Sequence, residues 1–396
     1  NSGSSSDCGR RCFRPGFAAT SSARPPMAAQ APCYDGAAVP FGDDAALRAA
    51  FEADGVVVVE GVLSDEEAQR ALEELWSSPQ LLGRCGRVHR DDPSTWTAEL
   101  WPQQDGGRNF LESLDSFEDR ACWELAQNPR VVHVLRLLYG GPVFAEEPGR
   151  WGVMRPTEGH VEWRTEESWL HWDQSPWREP CFARVQCFLC LADQTPTSGG
   201  FLCAPGFQRR WRAWGERHPE GSVRVAGRTI TGDYGVGMPF PVPGDEPVRD
   251  EVVRVPARKG SLVLWDGRLP HQNYPNTGTE FRFVHYLHVA ALDTAKVAER
   301  REVLRKRMAV RRALGRGAGA FFPGGLSELG REVFGVPPED EGKDELDPSL
   351  QRAIRLTVEA GEDELRGDLQ ASVEKLRRAG KAWPDIERWH EAIFGA

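Results

Sequence analysis

The sequence lacks any apolar run near the roughly 20 residues that a bilayer-spanning helix needs; Cys187–Ala192 is among the longest, and no transmembrane segment is expected. A surplus of positive charge is missing as well. Lys and Arg total 49 against 59 Asp and Glu, a formal charge of -10 with a pI near 5.5, so broad electrostatic attraction to nucleic acid or anionic membrane is not the main activity. A disulfide framework is absent too: the nine cysteines are odd in number and scattered, as free thiols in a reducing compartment would be. Cys187-Phe188-Leu189-Cys190 has the C-x-x-C spacing, yet strand alternation sends its two thiols to opposite faces. Core packing is therefore expected there rather than redox or zinc chemistry.

What is present is apolar material for a core, 40% of the 396 residues, arranged in three stretches. Residues 1–42 read as a leader. Asn1–Ser6 is Ser/Gly-rich, and Arg10–Ala31 holds four arginines and no acid, which fits a disordered leader or an organelle transit peptide. The expected compartment is the cytoplasm, or an organelle if that segment is a transit peptide.

Residues 43–294 read as one domain. Ala45–Ala53 has helical spacing, Gly55–Val59 reads as a buried strand, and Ser64-Asp65-Glu66-Glu67 caps a second helix. A further helical stretch from Phe117 to Leu138 is interrupted near Asn128-Pro129. From Gly152 onward the period becomes two. Short β-like runs separated by Gly, Pro, Asn and Asp continue to Val289, predicting a mainly β sandwich or jelly roll with flanking helices. Residues 295–396 read as a helical C-terminal extension with an acidic linker near 337–348. Lys296–Arg316 is a basic helix expected to pack on the barrel; Leu365, Leu369, Val373 and Leu376 have helical spacing, and Pro384 opens a last helix with Ile386, Trp389 and Ile393.

The chemistry is concentrated in a few places. In Ser168-Trp169-Leu170-His171-Trp172-Asp173, residues two apart share a strand face, which brings the His171 imidazole and the Asp173 carboxylate together. Downstream, the strand Ser261–Asp266 ends in a turn presenting His271. Two histidines and one carboxylate cover one face of an octahedral ferrous ion and leave three positions for other ligands, a set suited to oxygen activation. Eleven residues past His271 stands Arg282, whose guanidinium matches the far carboxylate of a 2-oxoacid in a two-pronged pair that lysine cannot copy. Alternation places Val284, Tyr286 and His288 on the same face as Arg282.

With its opening Phe51–Ser64 segment, His171-Trp172-Asp173, the strand Val185–Asp193, Ser198-Gly199-Gly200, Pro205-Gly206, His271 and Arg282 in order, the sequence resembles the phytanoyl-CoA dioxygenase family of Fe(II)/2-oxoglutarate-dependent oxygenases. The resemblance implies a double-stranded β-helix of the jelly-roll or cupin type. It implies Fe(II) on His171, Asp173 and His271, and 2-oxoglutarate anchored by Arg282 with Gln186 and Asn273 as further contacts. The implied reaction uses O2 to hydroxylate an unactivated C–H of a small organic or lipid-like substrate, releasing succinate and CO2. Asp173 stands where related halogenases carry a small residue, so hydroxylation is favoured over halogenation.

Two departures bear on the substrate side. The family usually follows its proline-glycine turn with Ser-His, whereas Phe207-Gln208 follows Gly206 here, and the segment Arg209–Arg258 is long, either a lid or a surface elaboration. Phytanoyl-CoA is therefore not the expected substrate. Two other readings stand beside this one: a jelly-roll binding or regulatory protein without turnover, and a hydrolase on another metal, which gives Arg282 no role. The oligomeric state is not legible.

Overall fold

The computed structural model describes residues 31–77, 88–101, 111–114, 119–145, 147–167, 169–225, 228–231, 240–293, 297–313, 325–336, 347–365 and 368–389. The leader expected over residues 1–30, the acidic linker over 337–346 and the last-helix position Ile393 lie outside these residues. Residues 31–42, assigned to the leader by composition, instead join the domain. Val39–Pro40 forms a first strand, β1, and Cys33 bridges to Arg254.

The first helices begin and end on local chemistry. In α1 (Asp44–Asp54), Asp43 accepts from the Ala46 amide, and Gly55 closes the helix at a φ of 70°, in the left-handed region that suits glycine. The chain then enters β2 (Val56–Glu60). Before α2 (Asp65–Ser77), Ser64 and Glu67 form a reciprocal capping box at 2.7 and 3.2 Å. After β3 (Leu111–Leu114), Asn128 and Pro129 split the expected long helix into α3 (Arg120–Ala126) and α4 (Pro129–Tyr139).

Strands then dominate: β4 (Val143–Ala145), β5 (Arg150–Met154), β6 (His171–Trp172), β7 (Val185–Cys190) and β8 (Ser198–Cys203). Helix α5 (Trp211–Arg217) and the short strands β9 (Arg224–Val225), β10 (Arg228–Thr229) and β11 (Phe240–Pro241) follow. The run ends with β12 (Val253–Val255), β13 (Leu262–Asp266), β14 (His271–Asn276), β15 (Arg282–Leu287) and β16 (Val289–Ala291).

Two sheets hold the site between them. The larger has the order β1-β2-β13-β7-β15-β5-β3 and the smaller β11-β6-β14-β8-β12. The chain shuttles between them, β6 to β7 to β8 and later β12 to β13 to β14 to β15, with antiparallel pairing throughout both sheets except between β1 and β2. This is the jelly-roll connection, made by two facing sheets rather than a closed barrel.

The larger sheet is covered on both faces, which explains why its strands read as continuous apolar runs. Val57, Val59, Leu189, Leu264 and Phe283 pack outward under α1 to α4, whereas Val56, Val58, Phe188, Val263 and Val284 point into the inter-sheet interior. Cys187 and Cys190 fall into opposite cores as alternation requires, and burial pushes both thiols up to about 12. The described part of the 209–258 segment packs as structure: Trp211, Trp214 and Phe240 are fully buried around Trp172, β11 extends β6, and β12 extends β8.

Past the sheets, α6 (Val297–Ala313) sets Leu304 and Met308 on the main core and Val310 and Ala313 on a separate C-terminal cluster. That cluster is built with α8 (Pro348–Leu365) and α9 (Leu369–Ala382), after the short α7 (Glu328–Phe334). Leu369, Val373 and Leu376 do share a helix face, but that face is exposed and α9 buries Ser372 and Ala379 instead.

On the outward side of β15, His285 is fully buried against Trp151. Burial, reinforced by His288, pushes its imidazole down to about 3. Between that value and the ordinary histidine range the unfolded chain binds a proton that the folded chain excludes. Its contribution is complete above about pH 6.5 and declines by about 1.4 kcal/mol per pH unit as the pH falls toward 3. His285→Leu should flatten this limb in urea unfolding between pH 7.5 and pH 5; an unchanged slope would assign it to other groups.

Candidate metal centre and its cavity

The site begins with register. β6 and β14 pair antiparallel with His171 directly opposite His271, a relation that places side chains of one face about 5 Å apart. The two imidazole centroids are 4.5 Å apart. Asp173 follows two residues after His171 and bridges the pair, with Oδ1 3.5 Å from His171 Nε2 and Oδ2 3.2 Å from His271 Nε2. The three donor atoms lie within 4.8 Å of one another, the one such group among the described residues.

Each ring is oriented by its own backbone. His171 Nδ1 lies 3.1 Å from the Trp169 carbonyl and His271 Nδ1 lies 2.9 Å from the Leu269 carbonyl. A carbonyl only accepts, so the Nδ1 atom of each ring is held by its backbone partner and Nε2 is the atom each ring turns toward Asp173. Burial works to raise the Asp173 carboxyl, but the two imidazoles outweigh it and hold it well below the usual carboxylate range. Burial, with His171 beside it, lowers the His271 imidazole. Two Nε2 atoms and one carboxylate oxygen converging within 4.8 Å form the two-histidine, one-carboxylate donor set that fits the expected ferrous ion.

A cavity of about 90 Å³ opens on the three residues. Trp169, Phe201 and Trp265 form its apolar wall, and Gln186, Asn273 and Tyr286 also line it. Gln186 points inward from β7 and donates to Asp173 Oδ2 at 2.6 Å, so its observed contact is with the acidic member of the trio. Asn273 Nδ2 lies 3.3 Å from Tyr286 Oη.

Arg282 is brought to the same interior from the opposite sheet, and it is 0% exposed. It does not itself line the cavity; Tyr286, which accepts from its Nη2 at 3.5 Å, does. Its Nε donates to Gln194 Oε1 at 3.1 Å, and its guanidinium carbon sits 5.3 Å from the Phe188 ring centroid. The polar series Arg282–Tyr286–Asn273 therefore leads from a buried cation to the cavity wall.

Sequence reasoning brought His171, Asp173, His271, Gln186, Asn273 and Arg282 to this interior but passed over Gln194 and Arg150. Gln194 is fixed by backbone pairing with Ala257, a partner more than sixty positions away that no local pattern reveals. Arg150 owes its place to a cross-strand match with Tyr286.

The sequence profile of the phytanoyl-CoA dioxygenase (PhyH) family matches residues 51–284, more than half of the chain. A phytanoyl-CoA dioxygenase of Arabidopsis thaliana is 30% identical over 121 residues, which cover 31% of this chain and 38% of that protein. Among solved structures, GIG2 (DUF1479) of Candida albicans is similar with a TM-score of 0.49 and 12% identity, covering 90% of this chain and 88% of that one. EctD from S. alaskensis, solved with 2-oxoglutarate and 5-hydroxyectoine, has a TM-score of 0.39 and 20% identity, covering 68% of this chain and 82% of that one. The epimerase SnoN, solved with Fe3+, alpha ketoglutarate and nogalamycin RO, has a TM-score of 0.40 and 18% identity, covering 63% of this chain and 85% of that one. Because the family profile runs from the end of α1 into β15 and takes in His171, Asp173, Gln186, His271, Asn273 and Arg282, the chain belongs to the phytanoyl-CoA dioxygenase family of Fe(II)- and 2-oxoglutarate-dependent dioxygenases.

Proposed function

We propose that this chain uses Fe(II), 2-oxoglutarate and O2 to hydroxylate an unactivated C–H of a small organic or lipid-like substrate, releasing succinate and CO2. The observation that carries the reading is the opposition, across one interior, of the His171–Asp173–His271 group on the smaller sheet and Arg282 on the larger. Bound ferrous iron with its co-substrate supplies the oxidising chemistry. The chain's own residues position and shield.

His171, Asp173 and His271 would hold the metal by three donors on one side. Arg282, oriented by Gln194 and Tyr286, would take the far carboxylate of 2-oxoglutarate. Gln186 holds Asp173 in place through its 2.6 Å hydrogen bond, a supporting contact of the kind that commonly contributes about 10- to 100-fold in metal affinity. Trp169, Phe201 and Trp265 keep water from the reacting centre. Because Asp173 keeps the third protein donor in place, hydroxylation is favoured over halogenation.

Anaerobic titration of the apoprotein with Fe(II) and 2-oxoglutarate should produce the weak visible charge-transfer band of the chelate. Asp173→Ala should abolish it, and Arg282→Ala should move its 2-oxoglutarate midpoint upward by at least about tenfold, the loss of one charge-assisted pair. A folded wild-type protein that binds metal but gives no band would return the binding-protein reading to the front. Gln194 supplies a second handle. Exchanging its neutral acceptor for an anion in Gln194→Glu should pair the guanidinium internally and raise the same midpoint by about tenfold or more, with Gln194→Met affected less. Equal midpoints in all three proteins would remove Gln194 from the co-substrate site.

A further inference from the structure

Arg150 is a charged wall residue for which the metal and the co-substrate leave no task. It opens β5 and pairs directly with Tyr286 of β15, while Met154 at the other end of β5 pairs with Arg282. Cross-strand partners share a face, so Arg150 and Arg282 both belong to the interior side of this strand pair. Four strand positions separate the levels they occupy, roughly 13 Å at about 3.3 Å per residue. A single dicarboxylate held at Arg282 is therefore remote from Arg150.

The surroundings of Arg150 are those of a waiting cation. It lines the cavity together with the His171–Asp173–His271 group and is half-buried. Its guanidinium carbon lies 5.4 Å from the Tyr286 ring centroid, and its Nε is buried with no hydrogen-bond partner. Its side chain makes no hydrogen bond or ion pair with any described residue. The neighbouring wall groups are engaged: Asp173 lies between the two histidines, and His288 Nδ1 contacts the Glu147 carboxylate. An arginine stem that merely covers apolar surface extends its head into solvent. This one rests its head on a ring inside the cavity.

We infer that the substrate carries an oxyanion, a carboxylate or a phosphate, which Arg150 receives while the carbon to be oxidised faces the metal group. The inference rests on the oxygenase reading above and adds the chemical class of substrate. A guanidinium whose carbon lies over a ring and whose nitrogens make no other pair has donors to offer an oxyanion in a two-pronged pair.

The test starts from protein loaded anaerobically with Fe(II) and saturating 2-oxoglutarate, whose visible band shows that the co-substrate site works before any probe is added. Absence of that band counts against the oxygenase reading and is seen separately. Matched probes are then added: hexanoate against hexanamide, and hexyl phosphate against 1-hexanol. The readouts are perturbation of the band and, after air is admitted, succinate release above the probe-free rate. At least one oxyanion should exceed its neutral partner by about tenfold in half-saturating concentration, the scale of one charge-assisted pair. Arg150→Gln should erase that preference while leaving the 2-oxoglutarate midpoint in place, and Arg150→Lys should restore part of it. Equal responses to charged and neutral partners, or silence with all four probes, would overturn the assignment. So would an Arg150→Gln protein whose 2-oxoglutarate midpoint rises, since Arg150 would then belong to the co-substrate. If that variant does not fold, the wild-type comparison of matched probes still decides.

Discussion

Everything chemical in this molecule depends on one pairing, His171 opposite His271 across β6 and β14. β6 is only two residues long and cannot maintain that register by its own hydrogen bonds. Trp172, the other residue of the strand, is fully buried among Phe207, Trp211, Trp214 and Phe240. Burying an aromatic side chain of this size is worth several kcal/mol, roughly 3–5 by the cost of truncating one. Alternation converts that packing into chemistry: with Trp172 held on one side, His171 and Asp173 face the other. The insertion that supplies most of these aromatics thus acts on the metal group from behind, by fixing the strand.

The second constraint is the closeness of the two sheets. Gly199, at a φ of 81°, has no room for a side chain, since a Cβ there would stand 2.6 Å from Met154 Sδ and 2.9 Å from the Asn276 amide nitrogen. Gly200 is filled by Tyr274, whose hydroxyl would lie 2.5 Å from an added Cβ. Two glycines let β8 run close to its neighbours, and the interior left beside them is narrow and mostly aromatic. A narrow interior of low polarity strengthens each charged contact made within it, and it leaves few places where a charge can reside without a partner or a ring.

Much of this was legible because strand period and helix chemistry are local. The Ser64–Glu67 capping box, the Asn128-Pro129 break and the opposite facing of Cys187 and Cys190 followed from spacing alone. His171, Asp173 and His271 could be brought together because two residues on a strand and one after a turn form a short motif, and the family resemblance set them in order. Gln194 could not be read, because its contact with Arg282 passes through a bridge to Ala257. Nor could the facing of Leu369, Val373 and Leu376: helical spacing tells that they share a side, not that the neighbouring helix lies on the opposite one. Composition misassigned residues 31–42 for a related reason. A two-residue strand and an isolated bridge carry no periodic signal, and they are held by partners at Val59, Glu60 and Arg254.

The two interior arginines differ in a way that bears on the order of events in the cavity. Arg282 is removed from water and steadied by a neutral amide, a phenol and a ring, so its charge is dehydrated before any ligand arrives. Under the proposed function, a dianion reaching it would meet donors already stripped of solvent, which would strengthen the pair. Arg150, half-buried with its head over the Tyr286 ring, keeps part of its hydration. Tyr286 touches both cations, one through its hydroxyl and one through its ring face. A co-substrate bound at Arg282 as proposed would therefore also act on the hydroxyl of the ring over which Arg150 lies. That single side chain would make the two proposed sites neighbours in energy although roughly four strand positions separate them.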